Sequence, residues 1–438
     1  MPDTFSPATI DALAKRLQEP SWLAELRRSS WARHQALPWP HTSDDIWRRT
    51  DATLLDPSRG FSPVSPGLLQ SVPLTDGQLK DLTQPLGGEH LFVRVNGSWA
   101  AKDGASGLSI DELGPAAQQQ PDPIRQAIEA DGLTEAEQKL SSLNLAFHHD
   151  DVVLQVPPGF TGERPLRLVR ILSAAAHQAL FPMTVIRVGA GSSVTLIDEY
   201  VSLPAGHAPA PHLVNSRIEL VLEPDASVHY VRLQRWDTQA REFLLQRAVL
   251  GKGATLTMAN INLGAALSKA HIVTKLAGEH ASTKLYGFVF GHGKQHIDQH
   301  TLQDHQAPHT LSDLHFKAAL QDESRMIYTG LIRIAKQAQH TEAFQANHNL
   351  ILSQGAQAET IPMLEILADD VQCKHGASIG PIDDEQAFYL TSRGIPKDVA
   401  QRLIVMGFVE PIVQQVPFEP LQQRLREEIE GNLRQDER

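Results

Sequence analysis

Cysteine is nearly absent from this sequence: the 438 residues include one, Cys373. An internal disulfide is thereby excluded. So is a four-thiolate iron–sulfur centre, or a cysteine-rich structural zinc site, built by this chain alone. Aromatics are only 6 % of residues while apolar types total 41 %, so an aliphatic core is expected. No run of about 18 apolar residues is present to span a bilayer, so no membrane partner is expected. Met1 to Pro7 lack the basic and apolar segments of a secretory signal, and together with the single cysteine this points to the cytoplasm. Positive charge is in deficit too. A formal net charge of -12 would repel a phosphate backbone, which makes nucleic acid a poor partner.

Several catalytic signatures are also missing. Gly251-Lys252-Gly253 and Gly291-His292-Gly293-Lys294 lack the Lys-Ser or Lys-Thr pair that ends a phosphate-binding loop, so ATP hydrolysis is not expected of this chain. There is no Gly-x-Ser-x-Gly nucleophile elbow and no His-Glu-x-x-His zinc motif. Histidine, by contrast, is plentiful at 20 residues.

The chain changes character twice. In residues 1–147, Ile10, Leu13 and Leu17 share a helical face that Pro20 is expected to end, and Trp22, Leu23 and Leu26 begin another. Pro38-Trp39-Pro40 reads as a turn or extended segment. Residues 103–123, rich in Gly, Pro, Asp, Ser and Gln, read as loop. Thr134 and Glu137 form a capping box for a helix reaching about Ala146. Residues 148–380 are β-branched and punctuated by turns, starting with Val152-Val153-Leu154-Gln155-Val156. One pattern recurs there: a Gly- or Asp-type turn, two small residues, then an alternating strand. It begins at Gly191, Asp225 and Gly253, and more weakly at His280, with offsets of 34, 28 and 27 residues. Such a unit cannot bury its apolar face alone, and stacked coils of a β-helix would do so. An antiparallel sandwich would use the same strands and turns. Residues 381–438 turn helical again. Asp383 and Gln386 can cap a helix through Phe388-Tyr389-Leu390 that stops at Gly394. A second follows Pro396 with Val399, Leu403 and Met406 on one face, up to Gly407. Leu421, Leu425 and Ile429 mark a last amphipathic helix, with a fraying tail at Arg434 to Arg438.

One continuous block is distinctive. It runs Gln345-Ala346-Asn347-His348-Asn349-Leu350-Ile351-Leu352-Ser353, then Pro362-Met363-Leu364-Glu365-Ile366, then Ala368-Asp369-Asp370-Val371-Gln372-Cys373-Lys374-His375-Gly376-Ala377-Ser378-Ile379-Gly380. It closes with Asp384 to Leu390 and Ser392-Arg393-Gly394-Ile395-Pro396. This block resembles the C-terminal signature of the SufB/SufD family of iron–sulfur cluster assembly proteins. Ser43-Asp44-Asp45-Ile46-Trp47-Arg48 and Leu143-Asn144-Leu145-Ala146-Phe147 are weaker echoes of the same family. SufB proteins carry Glu-His-Glu where this chain has Lys374-His375-Gly376, and they have additional cysteines, so the resemblance is to the SufD branch.

The resemblance implies a mainly β protein: a right-handed parallel β-helix core flanked by N- and C-terminal helical regions. It implies a non-catalytic scaffold that pairs with SufB, with a homodimer as a further possibility, and that docks the ATPase SufC on the C-terminal helices. It also implies a transient iron–sulfur cluster shared with SufB and, more weakly, a link to iron supply and to reduced FAD in the complex. The histidine matching His375 faces SufB and helps to build the nascent cluster. Imidazole suits iron and can replace thiolate in clusters. The plainer reading of His375 is a hydrogen-bonding residue in a tight turn before Gly376. Cys373 would share a strand face with His375, or be a small buried hydrophobe. Phe388, Tyr389, Leu390, Leu403, Ile404 and Phe408 form the candidate docking face for SufC, or else cap the end of the solenoid.

Two enzyme readings stand beside this one. A β-helix carbohydrate-active enzyme is weakened by sparse aromatics over residues 250–360. A metal-dependent hydrolase would use His292, His296, His300, His305 and His309, whose spacings of four would suit one helix face. The flanking glycines instead suggest strand and loop, with solvated histidines.

Overall fold

The turn-punctuated middle of the chain winds into a parallel β-solenoid of about 7 turns. The structure is a computed structural model that describes residues 5–63, 75–104, 107–129, 133–173, 177–202 and 211–434, so the tail at 435–438 lies outside the described residues. Alternate strands fall into two sheets. The first runs, in spatial order, Gln357–Ile366, Arg325–Ile334, His296–His305, Leu267–Leu276, Ala240–Leu250, His212–Leu222, Pro182–Val188, Asp150–Val156 and Ser109–Asp111. The second runs Val371–Pro381, Thr341–Ile351, Leu311–Leu320, Ser282–Gly291, Thr255–Asn262, Ser227–Arg235, Ser193–Ser202, Leu166–Leu172, His90–Val95 and Ser98–Lys102. From Pro182 onward each solenoid strand pairs in parallel with the strand two places further along the chain, which decides for coils over a sandwich. The four repeats register residue for residue: Val194 pairs with Val228, Val228 with Leu256, and Leu256 with Thr283.

Strand alternation then sorts the side chains. Inward positions such as Leu196, Val228, Leu256, Leu285 and Leu314 fill the lumen as one apolar core. Outward positions are covered by helices. On the second sheet, Val405, Val409, Ile412 and Val413 of helix Lys397–Val413, with Leu421, Leu425 and Ile429 of helix Glu419–Arg434, pack on Ile197, Val231, Ile261 and Phe288. On the first sheet, helices from the N-terminal region pack on Phe181, Phe243, Val153 and Val185.

Close coil-to-coil packing sets local requirements. Gly264 follows a strand where any methyl group would run into the Trp236 carbonyl of the preceding coil. Gly264→Ala is therefore expected to lower stability by about 1–3 kcal/mol, as overpacking of a tight site does. A denaturant midpoint unchanged from the parent would count against that.

Several local expectations need correction. Residues 103–123 are not all loop: among those described they hold strand Ser109–Asp111, helix Leu113–Gln119 and the start of helix Pro121–Ile128. The apolar residues Ala116 and Ala117 of the first helix and Ile124, Ala127 and Ile128 of the second are buried, and that packing outweighs a turn-like composition. Pro20 does not end the first helix, which stops at Arg16, but caps the start of the second, Ser21–Ala36. The helix after Pro396 does not stop at Gly407 and runs on to Val413, through Pro411. The capping box of Thr134 and Glu137 and the Asp383 cap are formed as read.

Candidate functional site

The two ends of the solenoid differ. At its start, the antiparallel strands Ser98–Lys102 and Ser109–Asp111 close the sheets. At its finish, Gln357–Ile366 and Val371–Pro381 each pair on one side only, so the last coil leaves both its edges open. Leu364, Ile366 and Ile379 register with the inward positions Ile332, Ile334 and Asn349, yet are 39 %, 38 % and 47 % exposed. These core-facing positions have no further coil to cover them. Leu367 beside them is also exposed.

His375 lies on this last coil. It is in the middle of strand Val371–Pro381, not in a turn, which removes the turn reading. It registers with Gln345, and Cys373 registers with Ala343; both partners are buried inward-facing residues. Cys373 and His375 thus share the inward face, and Lys374 takes the other. Gln345 reaches across the lumen to the Gly330 carbonyl at 3.3 Å, and the next-coil counterparts of that pair are His375 and Pro362. Pro362, with no N–H to offer, sits on an edge strand, where proline is tolerated. His375 is solvent-exposed. Cys373 is half-buried against a cluster containing Ile332, Ile334 and Ala343, and burial pushes its thiol above the ordinary range. It is therefore a protonated thiol at neutral pH rather than an activated thiolate.

A row of amides lines the lumen one coil behind. Asn347 donates to the Phe316 carbonyl at 3.3 Å and Asn349 to Asn347 at 2.7 Å, while Gln345 Oε1 and Asn349 Oδ1 are buried without a hydrogen-bond partner. Sequence reasoning passed over this row, although the alternation in Gln345-Ala346-Asn347-His348-Asn349 marks it. Together these residues present one imidazole and one thiol beside polar groups at an open edge. That set could ligate a metal or cluster only with donors from a second surface.

The C-terminal helices are a second candidate surface. Helix Asp384–Ser392 has no buried residue, and Phe388, Tyr389 and Leu403 are 72 %, 58 % and 50 % exposed. Leu390 and Ile404 are half-buried. Phe408 turns toward the solenoid, where Lys317 donates to its carbonyl at 2.7 Å and lies 4.7 Å from its ring centroid. These helices pack on the flank of the solenoid and leave its end open, so the end-capping reading does not hold.

The His292 to His309 set does not converge. On strand His296–His305, His296 and His300 point outward and His305 inward, because side chains alternate with period two. His296, His300 and His305 are strand residues with partners and not solvated loop histidines, whereas His309 is an exposed turn residue as read. His300 lies 3.1 Å from Asp298, His296 bonds Thr50 at 2.9 Å, and buried His305 bonds Thr310 and Ser312. Burial holds both His300 and His305 down at about 4. Asp298, Thr50 and Lys269 belong to the seat of the Asp45-Ile46-Trp47-Arg48 segment: Trp47 is fully buried beside Phe243, and Arg49 pairs with Glu359 on the edge strand. Among the described residues, no helix is long and apolar enough to cross a membrane.

Comparison with known proteins matches residues 170–408 to the family described as SUF system FeS cluster assembly, SufBD core domain. The iron-sulfur cluster assembly protein SufD of Escherichia coli is 30 % identical over 243 residues, 56 % of each chain. The alignment thus spans little more than half the length of that relative. The iron-sulfur cluster assembly protein SufD of Bacillus subtilis is 27 % identical over 432 residues, 97 % of each chain. An iron-sulfur cluster assembly SufBD family protein of Synechocystis is 26 % identical over 402 residues, 90 % of this chain and 87 % of the relative.

Proposed function

This chain belongs to the SufB/SufD family of iron–sulfur cluster assembly proteins, on its SufD branch, and from that premise we propose that it is a cytoplasmic, non-catalytic scaffold subunit that pairs with SufB through the open end of its solenoid. The observation that carries this reading is the last coil: two unpaired strand edges, with core-facing Leu364, Ile366 and Ile379 exposed. A matching solenoid end would satisfy the edge backbone and bury that apolar rim. His375, with Cys373 beside it, then faces the partner. The cluster is cargo, assembled between the two chains, and His375 supplies one neutral ligand to it. A site short of thiolates on this side releases its cluster more readily than a closed four-thiolate cage.

SufC docks on the exposed face of Phe388, Tyr389, Leu390, Leu403 and Ile404, with Phe408 fixing the helix to the solenoid. ATP-driven pairing of SufC subunits pulls on these helices and opens the interface site to iron and sulfide. Reduced FAD, in this reading, serves the assembled complex. A homodimer would use the same open end in the absence of SufB.

Co-purification of the tagged chain with SufB and SufC from one cell tests the assignment. Recovery of a stable ternary complex supports it, and recovery of the chain alone overturns it. The docking face has its own test. Replacing Phe388, Tyr389 and Leu403 together by serine is expected to weaken SufC binding by at least about 2 kcal/mol, roughly thirtyfold, because exposed aromatic anchors dominate such interfaces. The thermal midpoint should barely move, since none of the three side chains is buried. Unchanged SufC recovery would reassign this face.

A further inference from the structure

Three of the 20 histidines line up at a place that the assembly function does not use. Each coil makes the same tight turn before its second-sheet strand, and the turn residue has a left-handed backbone. In successive coils it is Gly191, Asp225, Gly253, His280, His309 and His340, with φ between +56° and +65°. The equivalence is fixed by hydrogen bonding. Each turn N–H donates to the carbonyl just before the next turn residue: Gly191 to Pro224, Asp225 to Lys252, Gly253 to Glu279, His280 to Pro308 and His309 to Gln339; in the shortened last turn His340 donates to Asp370. Glycine takes this conformation without strain, whereas an L side chain does so at a cost. Two of the first three coils use glycine, and the next three all use histidine.

Those three imidazoles form a ladder on the surface. Ring centroids are 5.0 Å apart for His280 and His309 and 4.8 Å for His309 and His340, with interplanar angles of 21° and 20°. The ladder ends on a carboxylate: His340 Nδ1 lies 2.9 Å from Asp370 Oδ2. At its other end Glu279 lies 3.6 Å from His280. The side chains are about half exposed, at 59 % for His280 and 52 % for His340, so water and ions reach the rings and the rings can turn.

The geometry points to a surface site for a first-row divalent metal ion, held by the imidazoles of His309 and His340 with the Asp370 carboxylate and extended by His280. Two imidazole nitrogens on one ion lie on the order of 3 Å apart, given metal–nitrogen bonds of about 2.0–2.1 Å. Rings stacked at coil spacing reach that separation by rotating their exposed edges together, with no change in the backbone. Nitrogen donors with a single carboxylate suit ions such as Ni²⁺ and Zn²⁺ more than the oxygen-seeking Mg²⁺ or Ca²⁺. Histidine in three successive turns where glycine would be unstrained is the outlier that such a role explains. The site is separate from the open-end imidazole: Asp370 precedes His375 by five residues of extended strand, on the order of 17 Å.

Calorimetric titration of the full chain with Ni²⁺ tests this. The comparison set is the parent, the double variant His309→Asn and His340→Asn, Asp370→Asn, and His375→Ala. Asparagine is at home in the left-handed region, so the double variant keeps the turns. The expected result is one equivalent bound by the parent and by His375→Ala, weakened at least tenfold in the double variant and measurably in Asp370→Asn. Equal stoichiometry and affinity in the parent and the double variant would overturn the assignment, as would loss of that equivalent in His375→Ala. Should the double variant not fold, Asp370→Asn decides alone, because its side chain is 74 % exposed and its removal leaves the turns intact: unchanged affinity there overturns the site.

Discussion

Replacing His375 with alanine is expected to stop cluster assembly while leaving the complex intact. The side chain is exposed on the last strand, so its removal creates no cavity and leaves no buried group unpaired. Stability should stay within about 0.5 kcal/mol of the parent. Assembly should fall by about 10–100-fold or more, because loss of even a supporting partner of a metal ligand has that effect and His375 is proposed as the ligand itself. Cys373→Ser should do much less: its thiol is half-buried, packed on aliphatic neighbours and held protonated. The measurement is absorbance of the cluster reconstituted on the purified ternary complex, beside gel filtration of the same sample. Normal cluster yield on a His375→Ala complex removes this residue from the site.

The second large effect is structural. Glu199 is fully buried on the outward face of strand Ser193–Ser202. Arg167 donates to it at 2.8 Å, Arg235 at 2.6 Å and Arg424 of the last helix at 3.1 Å. Burial alone would raise its pKa, but the guanidinium groups of Arg235, Arg167 and Arg424 outweigh burial and hold the carboxyl down at about 2. Glu199→Gln removes the one anion shared by three cations, and a broken buried pair costs about 3–5 kcal/mol. Helix Glu419–Arg434 should lose amide protection first, since Arg424 is one of its polar ties to the sheet, beside the Glu428–Arg235 pair and the packing of Leu421, Leu425 and Ile429. The pH dependence has a definite sign. A carboxyl depressed in the folded state stabilises above its unfolded value near 4.5, and that contribution is lost as pH falls toward 2. The parent should therefore weaken over this window more steeply than Glu199→Gln. Unaltered exchange in residues 419–434 together with an unaltered denaturation midpoint would show that the arginines need no common anion.

Most of the solenoid was legible because its repeats are local. Turn, two small residues and an alternating strand recur at Gly191, Asp225, Gly253 and His280, and these copies do stack in register. Pairing was not legible from pattern alone, because a sandwich would use the same strands and only the non-local register separates the two. The N-terminal region was read least well. Strands His90–Val95 and Ser98–Lys102 turn through Asn96-Gly97, a hairpin signal passed over because each strand is short. Helices Leu113–Gln119 and Pro121–Ile128 sit in a stretch whose composition says loop, and only burial against the first sheet makes them helical. For the candidate site, period two placed Cys373 and His375 on one face. The switch to helix at 381 marked their strand as the last of the β region, but not that its edge would stay uncovered, since that depends on where the helices pack. The flanking glycines argue for strand and loop over the helix that a histidine spacing of four would suit, and the odd step of five from His300 to His305 does put those two on opposite faces of their strand; the column at one-coil intervals was passed over.

The unpaired rim has a consequence for how much of this protein a cell can hold. An open parallel edge is a template for any strand of suitable register, and here it is flanked by Leu364, Ile366, Leu367 and Ile379. On the proposed pairing, chains in excess of a partner that covers this edge would template on one another, either closing in pairs end to end or being lost to aggregates and proteases. If the proposed partner is what covers the edge, matched synthesis of the two is a condition of solubility, and an imbalance should be visible as insoluble protein well before any shortage of clusters is felt.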